Sequence, residues 1–332
     1  MYTVAPICGT SAFHLSMTDE RIYKNSNTNA LHKPEKTQLS LHVILTCLHF
    51  GLFCYVLFAG DVLATVTVYR TRVRLTFAQD AVHSAFGLGV PEQVAVGEFS
   101  MTLALAVQFV WTSLFHGIQA YGTWCRMQNR RTALVKAVHP VNTLRWIEYA
   151  FSATLVAVVV ALLSGVQSVE QLSLIATLVA ITMPFGLWTE VEVQFTEGNA
   201  KGANGAARSF LPTARLPLLL GCVPQAAAWT VIFASFADFA SNESPHGGKM
   251  PDWVYAIVIG EVLLYLAFVI LPILRVLQKN GKPLITTDDA ELGYAILSFL
   301  SKAFIGVIYT WQANQLTSFA AALQNVTLYT VS

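Results

Sequence analysis

Long apolar stretches alternate with short polar segments along most of the chain. Each stretch runs for 18 or more residues with almost no charge, which is the length that an α-helix needs to cross a hydrocarbon core of ~30 Å. Glycine, proline or charged residues end every stretch, as at "KNGKP" (279–283). The pattern predicts seven transmembrane helices, at about 39–60, 99–122, 143–164, 171–193, 214–238, 252–274 and 291–313.

The composition supports this interpretation. The 332 residues are 55% hydrophobic and 12% charged, whereas a soluble domain usually carries about 25% charged residues. We expect an all-α integral membrane protein in a lipid bilayer. Its domains would be a polar cytoplasmic arm (1–38), a seven-helix bundle (39–313) and an extracellular tail (314–332). The first apolar stretch starts too far into the chain for a cleavable signal peptide, so it is expected to act as a signal anchor.

Several function classes lack support in the sequence. A net charge of +1 gives no indication of nucleic-acid binding. No zinc-ligand spacing, phosphate-binding glycine loop or nucleophile elbow occurs, so we do not expect an enzyme.

The segment 61–98 is too long for a simple turn between two helices. Within it, "TVTVYRTRVRLTF" (65–77) alternates with a period of two and places Arg70, Arg72 and Arg74 on one face. This is the pattern of a half-buried β-strand. We predict an external β-ribbon that caps the bundle or pairs with a second copy; a binding role for the arginines is the alternative.

Basic residues are distributed unevenly between the two sides of the predicted bundle. The side that holds the N-terminal arm carries 15 of the 20 Lys and Arg residues. Since basic residues favour the cytoplasmic side, the N-terminus is predicted inside and the C-terminus outside. Two glycosylation-type triplets, at Asn242 and Asn325, then fall outside.

One lysine interrupts the last apolar stretch, "ILSFLSKAFIGVIYTW" (296–311). A charge at the centre of a bilayer costs roughly 2.5–3.5 kcal/mol on insertion scales, so Lys302 needs a reason to be there. One reason is an ion pair with an acid across the bundle. The other is chemical, because a desolvated lysine can attack an aldehyde through its neutral amine. Ser298 lies one turn earlier on the same face and offers a hydroxyl to Lys302.

Glu148 is the best candidate partner for Lys302. It lies in the third stretch, in "NTLRWIEYAFSATL" (142–155), on one helix face with Arg145 and Ser152. The depths of Glu148 and Lys302 differ by roughly 10 Å at 1.5 Å per residue, which helix tilt and a long side chain could close. The alternative is that Glu148 pairs with Arg145 at the membrane edge.

Further ionisable residues lie within the predicted spans and are candidates for function or for ion pairing. They are His42, His49, His116, Glu190, Glu192, Asp238 and Glu261.

Two motifs resemble those of the heliorhodopsin family. "NTLRWIEYAFSAT" is similar to the third-helix signature of that family, and "SFLSK" resembles the seventh-helix Ser-x-x-x-Lys. The resemblance covers residues 39–313. It implies a seven-helix bundle with the N-terminus inside, a homodimer, and all-trans retinal bound covalently to Lys302. Glu148 would be the Schiff-base counterion, and Ser298 would form a hydrogen bond nearby.

The resemblance also suggests residues around the chromophore. "MPFGLWTE" (183–190) looks like the fourth helix of the family, which would place Met183 and Phe185 near retinal and Glu190 at the inner end. "LFHG" and "CLHFG" resemble sites with buried histidines, here His116 and His49. Ser152 is a further candidate. Four aromatic residues could enclose the polyene or serve only in packing; they are Trp229, Phe233, Tyr265 and Phe268.

We therefore expect a light-absorbing photoreceptor. Glu261, deep in the sixth stretch, departs from the family pattern and suggests light-activated passive proton conductance. The relay candidates are His49, His116, Glu190, Glu192 and Glu261. The alternative is a seven-helix transporter or receptor without retinal, in which Lys302 and Glu148 form an ion pair.

Overall fold

A computed structural model describes most of the chain. The described residues are 28–62, 65–75, 89–130, 132–139, 141–202, 211–241, 250–279 and 282–312. Most of the predicted arm, the whole predicted tail 314–332 and both glycosylation-type triplets lie outside them.

The described residues contain seven helices long and apolar enough to cross a membrane, as the sequence predicts. These are α1 (Thr28–Ala59), α2 (Met101–Met127), α4 (Thr143–Leu163), α5 (Val169–Gly202), α6 (Leu211–Ser241), α7 (Asp252–Val276) and α8 (Thr287–Gln312). A short helix, α3 (Ala133–Val138), lies between α2 and α4. The chain also forms two antiparallel ribbons, β1 (Val66–Leu75) with β2 (Gly89–Phe99), and β3 (Gln278–Lys279) with β4 (Lys282–Pro283).

Two helices extend furthest beyond the apolar stretches that predict them. α1 begins at Thr28, although its apolar part starts near Glu35. Glu35 Oε1 lies 3.1 Å from Arg126 Nε near the end of α2, so this ion pair links α1 to α2. α5 likewise continues to Gly202, beyond the predicted end at 193. Hydropathy marks the apolar part of a helix, whereas backbone hydrogen bonding carries the helix on into polar sequence.

Polar side chains cap the helices that carry the candidate site. Asn142 accepts a hydrogen bond from the backbone N–H of Arg145 at 3.1 Å, at the start of α4. Thr286 and Asp289 bond reciprocally before α8: the Thr286 hydroxyl accepts from the Asp289 N–H, and Asp289 accepts from the Thr286 N–H. These bonds satisfy N–H groups that have no partner within the helix and fix where each helix begins.

Gly165 ends α4. Its φ of +88° lies in the left-handed region, and the Gly165 and Val166 N–H groups bond back to Leu162 and Ala161. This is the arrangement of a Schellman motif. It turns the chain sharply into α5 at the same end of the bundle where the long ribbon lies.

The predicted β-ribbon is present between α1 and α2. β1 and β2 pair antiparallel from Val66↔Phe99 to Leu75↔Gly89, with a register shift after Val68. The Tyr69 N–H donates to the Gln167 carbonyl at 2.9 Å, beside the turn after α4. Arg70 lies 3.6 Å from Glu170 at the start of α5. This strand therefore caps one end of the bundle, and the side chains of Arg72 and Arg74 lie outside the described part.

α4 is the innermost helix at its end near the ribbon, where Val159–Leu163 are fully buried. It packs against α2 and α5 and touches α6 and α7. Two tyrosine hydroxyls link it to its neighbours: Tyr149 donates to the Tyr294 carbonyl on α8 at 2.9 Å, and Tyr265 on α7 donates to the Ala153 carbonyl at 2.8 Å. The helices that carry Glu148 and Lys302 are thereby held together.

Candidate functional site

Lys302 lies near the middle of α8 with only 3% of its surface exposed. Its Nζ donates to Glu148 Oε1 at 2.6 Å and to Ser298 Oγ at 2.8 Å. Ser298 reaches the lysine because residues four apart stack on one face of a helix. The lysine is therefore held by a carboxylate from one helix and a hydroxyl from its own.

Glu148 receives a second hydrogen bond from Thr112 on α2, whose Oγ1 lies 2.6 Å from Oε1. The carboxylate is 2% exposed, so its charge depends on these contacts rather than on water. The contact between Glu148 and Lys302 shows that the depth difference inferred from the sequence is closed in the structure.

Arg145 does not pair with Glu148, so the alternative partner considered from the sequence is not the one found. Its guanidinium instead forms ion pairs with Glu190 on α5 and Glu291 on α8. Trp146 Nε1 also donates to Glu190, at 2.8 Å, and Asn142 donates to Glu291, at 3.1 Å. The charged group around Arg145 is thus separate from the one around Lys302.

A cavity opens beside Lys302 and contains about 860 Å³ of space free of protein atoms, including its mouth. Its walls come from α4, α5, α6, α7 and α8 and are largely apolar and aromatic. The predicted site residues that border it are Ser152, Met183, Tyr265, Phe268, Ser298 and Lys302. Trp146, Tyr149 and Tyr294 border it as well. Lys302 is therefore part of the wall of a largely apolar cavity.

Three other predicted pocket residues do not border the cavity. Trp229 lies behind Tyr265, with its ring edge-on at a centroid distance of 5.1 Å. Phe233 is 38% exposed and contacts Trp229. Phe185 packs where a Cβ on Gly221 would lie, 3.0 Å from the Phe185 Cβ. Trp229 and Phe185 thus contact residues that line the cavity, and the expectation that these three side chains touch a chromophore stays a prediction.

The three intramembrane histidines meet between α1 and α2. His42 Nδ1 lies 3.1 Å from His116 Nδ1, and the His49 and His116 rings stack with centroids 5.2 Å apart. His49 Nδ1 is also 2.8 Å from the Leu45 carbonyl. His116 lies one turn after Thr112 on α2, so the histidine cluster lies next to the threonine that donates to Glu148.

The remaining predicted acids have different surroundings. Glu261 is fully buried on α7, and its Oε2 accepts from Ser301 Oγ at 2.6 Å. Its other oxygen has no hydrogen-bond partner within the described part of the chain. Glu192 accepts from Trp188 one turn earlier on its own helix at 3.1 Å. Of these two acids, only Glu261 lies close to Lys302, because it bonds to Ser301, the residue before the lysine.

Sequence reasoning missed several residues of the site. Thr112 could have been found, because it lies four residues before His116 on the same helix face. Glu291, at the start of the seventh stretch, could be noticed in the sequence only as an acid near the start of a helix. No local pattern pointed to Asn142 as a partner of Glu291 across the bundle.

Two solved structures of light-driven pumps match the chain at low identity. A light-driven proton pump from Leptosphaeria maculans matches with a TM-score of 0.46 and 14% identity, over 88% of this chain and 98% of the other. Xanthorhodopsin, described as a light-driven ion pump with dual chromophore, matches with a TM-score of 0.48 and 14% identity, over 84% and 93%. A search of curated proteins finds no match.

The chain is a retinal protein of the rhodopsin type, built as a multi-pass membrane bundle. Residues 39–313 match the family model for heliorhodopsin, so the chain belongs to the heliorhodopsin family. This is not a family of conventional enzymes.

Proposed function

We propose that the protein absorbs light through all-trans retinal bound covalently to Lys302, with Glu148 as the counterion. The observation that carries this proposal is the buried lysine amine, 2.6 Å from a buried carboxylate and at the wall of an apolar cavity. The residues fit the group. The cavity has aromatic and aliphatic walls for a polyene, and Lys302 supplies an amine for an imine linkage. When bound, retinal supplies visible absorption and light-driven isomerisation.

The residues around Lys302 have distinct tasks in this proposal. Glu148 stabilises a positive charge at the lysine nitrogen, and Thr112 and Ser298 orient the two partners. Tyr149 places its ring 5.3 Å from Nζ and adds a second favourable contact for a cation. Tyr265 and Phe268 line the cavity and exclude water from it.

The decisive experiment adds all-trans retinal to the purified protein. We expect a visible band and, after reduction with borohydride, a retinyl adduct on the peptide that contains Lys302. Lys302→Arg keeps the positive charge beside Glu148 but cannot form an imine, so it should stay colourless while remaining folded. A colourless wild type, or a coloured Lys302→Arg variant, contradicts the proposal; the first result would favour a transporter or receptor that uses the Lys302–Glu148 ion pair.

The orientation and assembly are part of the same proposal. The excess of basic residues on one side supports an N-terminus in the cytoplasm and a C-terminus outside the cell. The resemblance to heliorhodopsins supports a homodimer.

We also propose that light opens a passive proton conductance. Two groups of titratable side chains flank the lysine. Glu261 bonds to Ser301, next to Lys302 in the chain, and the cluster of His42, His49 and His116 lies beyond Thr112. Glu190 is engaged by Arg145 and Trp146 and is a weaker candidate for a relay.

A further inference from the structure

Gln225 on α6 is a polar side chain in an otherwise largely apolar cavity wall. It borders the same cavity as Lys302. Both atoms of its amide, Oε1 and Nε2, are buried and have no hydrogen-bond partner among the described residues. A buried amide without partners is destabilising, so a partner inside the cavity would be favourable.

An amide without partners does not by itself define a binding site. Gln108 on α2 has the same property, because both of its amide atoms are buried without a partner in the described part of the chain. Gln108, however, does not border the cavity. What distinguishes Gln225 is that its side chain faces space that a ligand can fill.

Gln225 and Lys302 lie on different walls of the cavity. α8, which carries Lys302, packs mainly on α7, α1 and α2. α6, which carries Gln225, packs mainly on α5, and to a smaller extent on α7 and α4. A ligand attached at Lys302 that extends across the cavity to α6 would meet Gln225 there, one turn after Gly221 and Cys222, which border the same cavity.

We propose that Gln225 binds a hydroxyl group on the ring of a retinal-type chromophore. The inference rests on the proposed function, since it concerns the end of the ligand that is remote from Lys302. A hydroxyl matches the amide better than a ketone does, because it can accept from Nε2–H and donate to Oε1, whereas a ketone oxygen can only accept. The protein would thus prefer a ring-hydroxylated aldehyde to unmodified retinal.

The test compares two aldehydes on three proteins. All-trans-3-hydroxyretinal and all-trans-retinal are each added to the wild type, to Gln225→Leu and to Gln108→Leu, and then mixed in competition. The readouts are the concentration for half-maximal pigment formation and the aldehyde extracted after competition. Gln108→Leu is the matched control, because it removes a buried amide without partners that lies outside the cavity.

We expect the wild type and Gln108→Leu to prefer the hydroxylated aldehyde by roughly three- to tenfold, the range that one neutral hydrogen bond supplies. Gln225→Leu should lose that preference while still binding retinal. Equal binding of the two aldehydes by the wild type, or a preference that survives in Gln225→Leu, overturns the inference and leaves the proposed function intact.

Two further outcomes separate the inference from the proposed function. No pigment with either aldehyde in the wild type overturns both. If Gln225→Leu forms no pigment with retinal because it does not fold, Gln225→Met gives the same comparison with a flexible side chain; a preference retained in that variant also overturns the inference.

Discussion

The carboxylate of Glu148 and the amine of Lys302 form a buried charged pair whose members each depend on the other. Removing one partner of such a pair leaves a charge without compensation in a medium of low polarity. Glu148→Gln keeps the size of the side chain and removes its negative charge. In the pigment, we expect the visible band to shift and the nitrogen at Lys302 to hold its proton less tightly, so that the colour changes at a lower pH.

An absorbance titration measures both effects. Glu192→Gln is the control, because the Glu192 carboxylate accepts a hydrogen bond from Trp188 on its own helix. This substitution should leave the spectrum unchanged. An unaltered spectrum and titration in Glu148→Gln would mean that another acid, such as Glu190, is the counterion.

Thr112 allows a finer test at the same scale. Its hydroxyl donates to Glu148 Oε1 at 2.6 Å, and Thr112→Val removes that bond with little change in shape. A hydrogen bond to a charged group is worth about 1.5–3 kcal/mol. We therefore expect the free energy of unfolding of the variant to fall by about that amount. The pigment should absorb at shorter wavelength, because the carboxylate charge is less dispersed. Thr112→Ser retains the hydroxyl, and it should behave like the wild type; equal spectra for the valine and serine variants would argue against a role for this bond.

At the scale of helices, the contact between α4 and α5 depends on a missing side chain. A Cβ on Gly186 would overlap the ring of Trp146, which lines the cavity and bonds to Glu190. Gly186→Ala must displace that ring, and overpacking of this kind usually costs about 1–3 kcal/mol. We expect a lower melting temperature and a smaller yield of pigment.

Gly51→Ala provides the control within the same fold. Apart from the nearby backbone of α1 and the two chain neighbours, no atom of the described residues lies within 4 Å of a Cβ placed on Gly51 in α1. Alanine is the better helix former by roughly 0.5–1 kcal/mol, so this variant should be as stable as the wild type or slightly more stable. If both alanine variants behave alike, close packing at Trp146 does not limit stability.

The sequence predicts the helices better than it predicts the contacts between them. Seven long apolar stretches were enough to predict α1, α2 and α4 to α8, and a period of two was enough for β1. Both features are local patterns. The partners of Arg145 could not be predicted from a local pattern, because Glu190 and Glu291 come from two other helices whose rotations are set by packing.

The same reason explains which pocket residues could be predicted. Lys302, Glu148 and Ser298 stand out because a charged or hydroxyl side chain in an apolar helix needs a partner. Aromatic residues carry no such requirement. Phe233 and Tyr265 look equivalent in the sequence, yet Phe233 is 38% exposed and Tyr265 borders the cavity.

At the scale of the whole molecule, orientation in the membrane can be tested directly. Fifteen of the 20 basic residues fall on the side assigned to the cytoplasm, so an epitope tag at the C-terminus should be stained on intact cells. A tag at the N-terminus should be stained only after permeabilisation. The reverse staining pattern would mean that the topology is opposite to the one proposed. Staining of both tags in the same compartment would contradict an odd number of membrane crossings.

The proposed light-activated proton conductance belongs to the scale of the whole bundle, because it would need a path from one surface to the other. Under voltage clamp, we expect illumination to produce a current whose direction follows the proton gradient and the holding potential. Glu261→Gln keeps a hydrogen-bond partner for Ser301 but removes a titratable group next to Lys302, so it should lower the current by roughly tenfold or more. Glu192→Gln should conduct normally. The absence of photocurrent at every potential and pH gradient would refute the conductance, whereas an undiminished current in Glu261→Gln would leave the histidine cluster between α1 and α2 as the proton path to test.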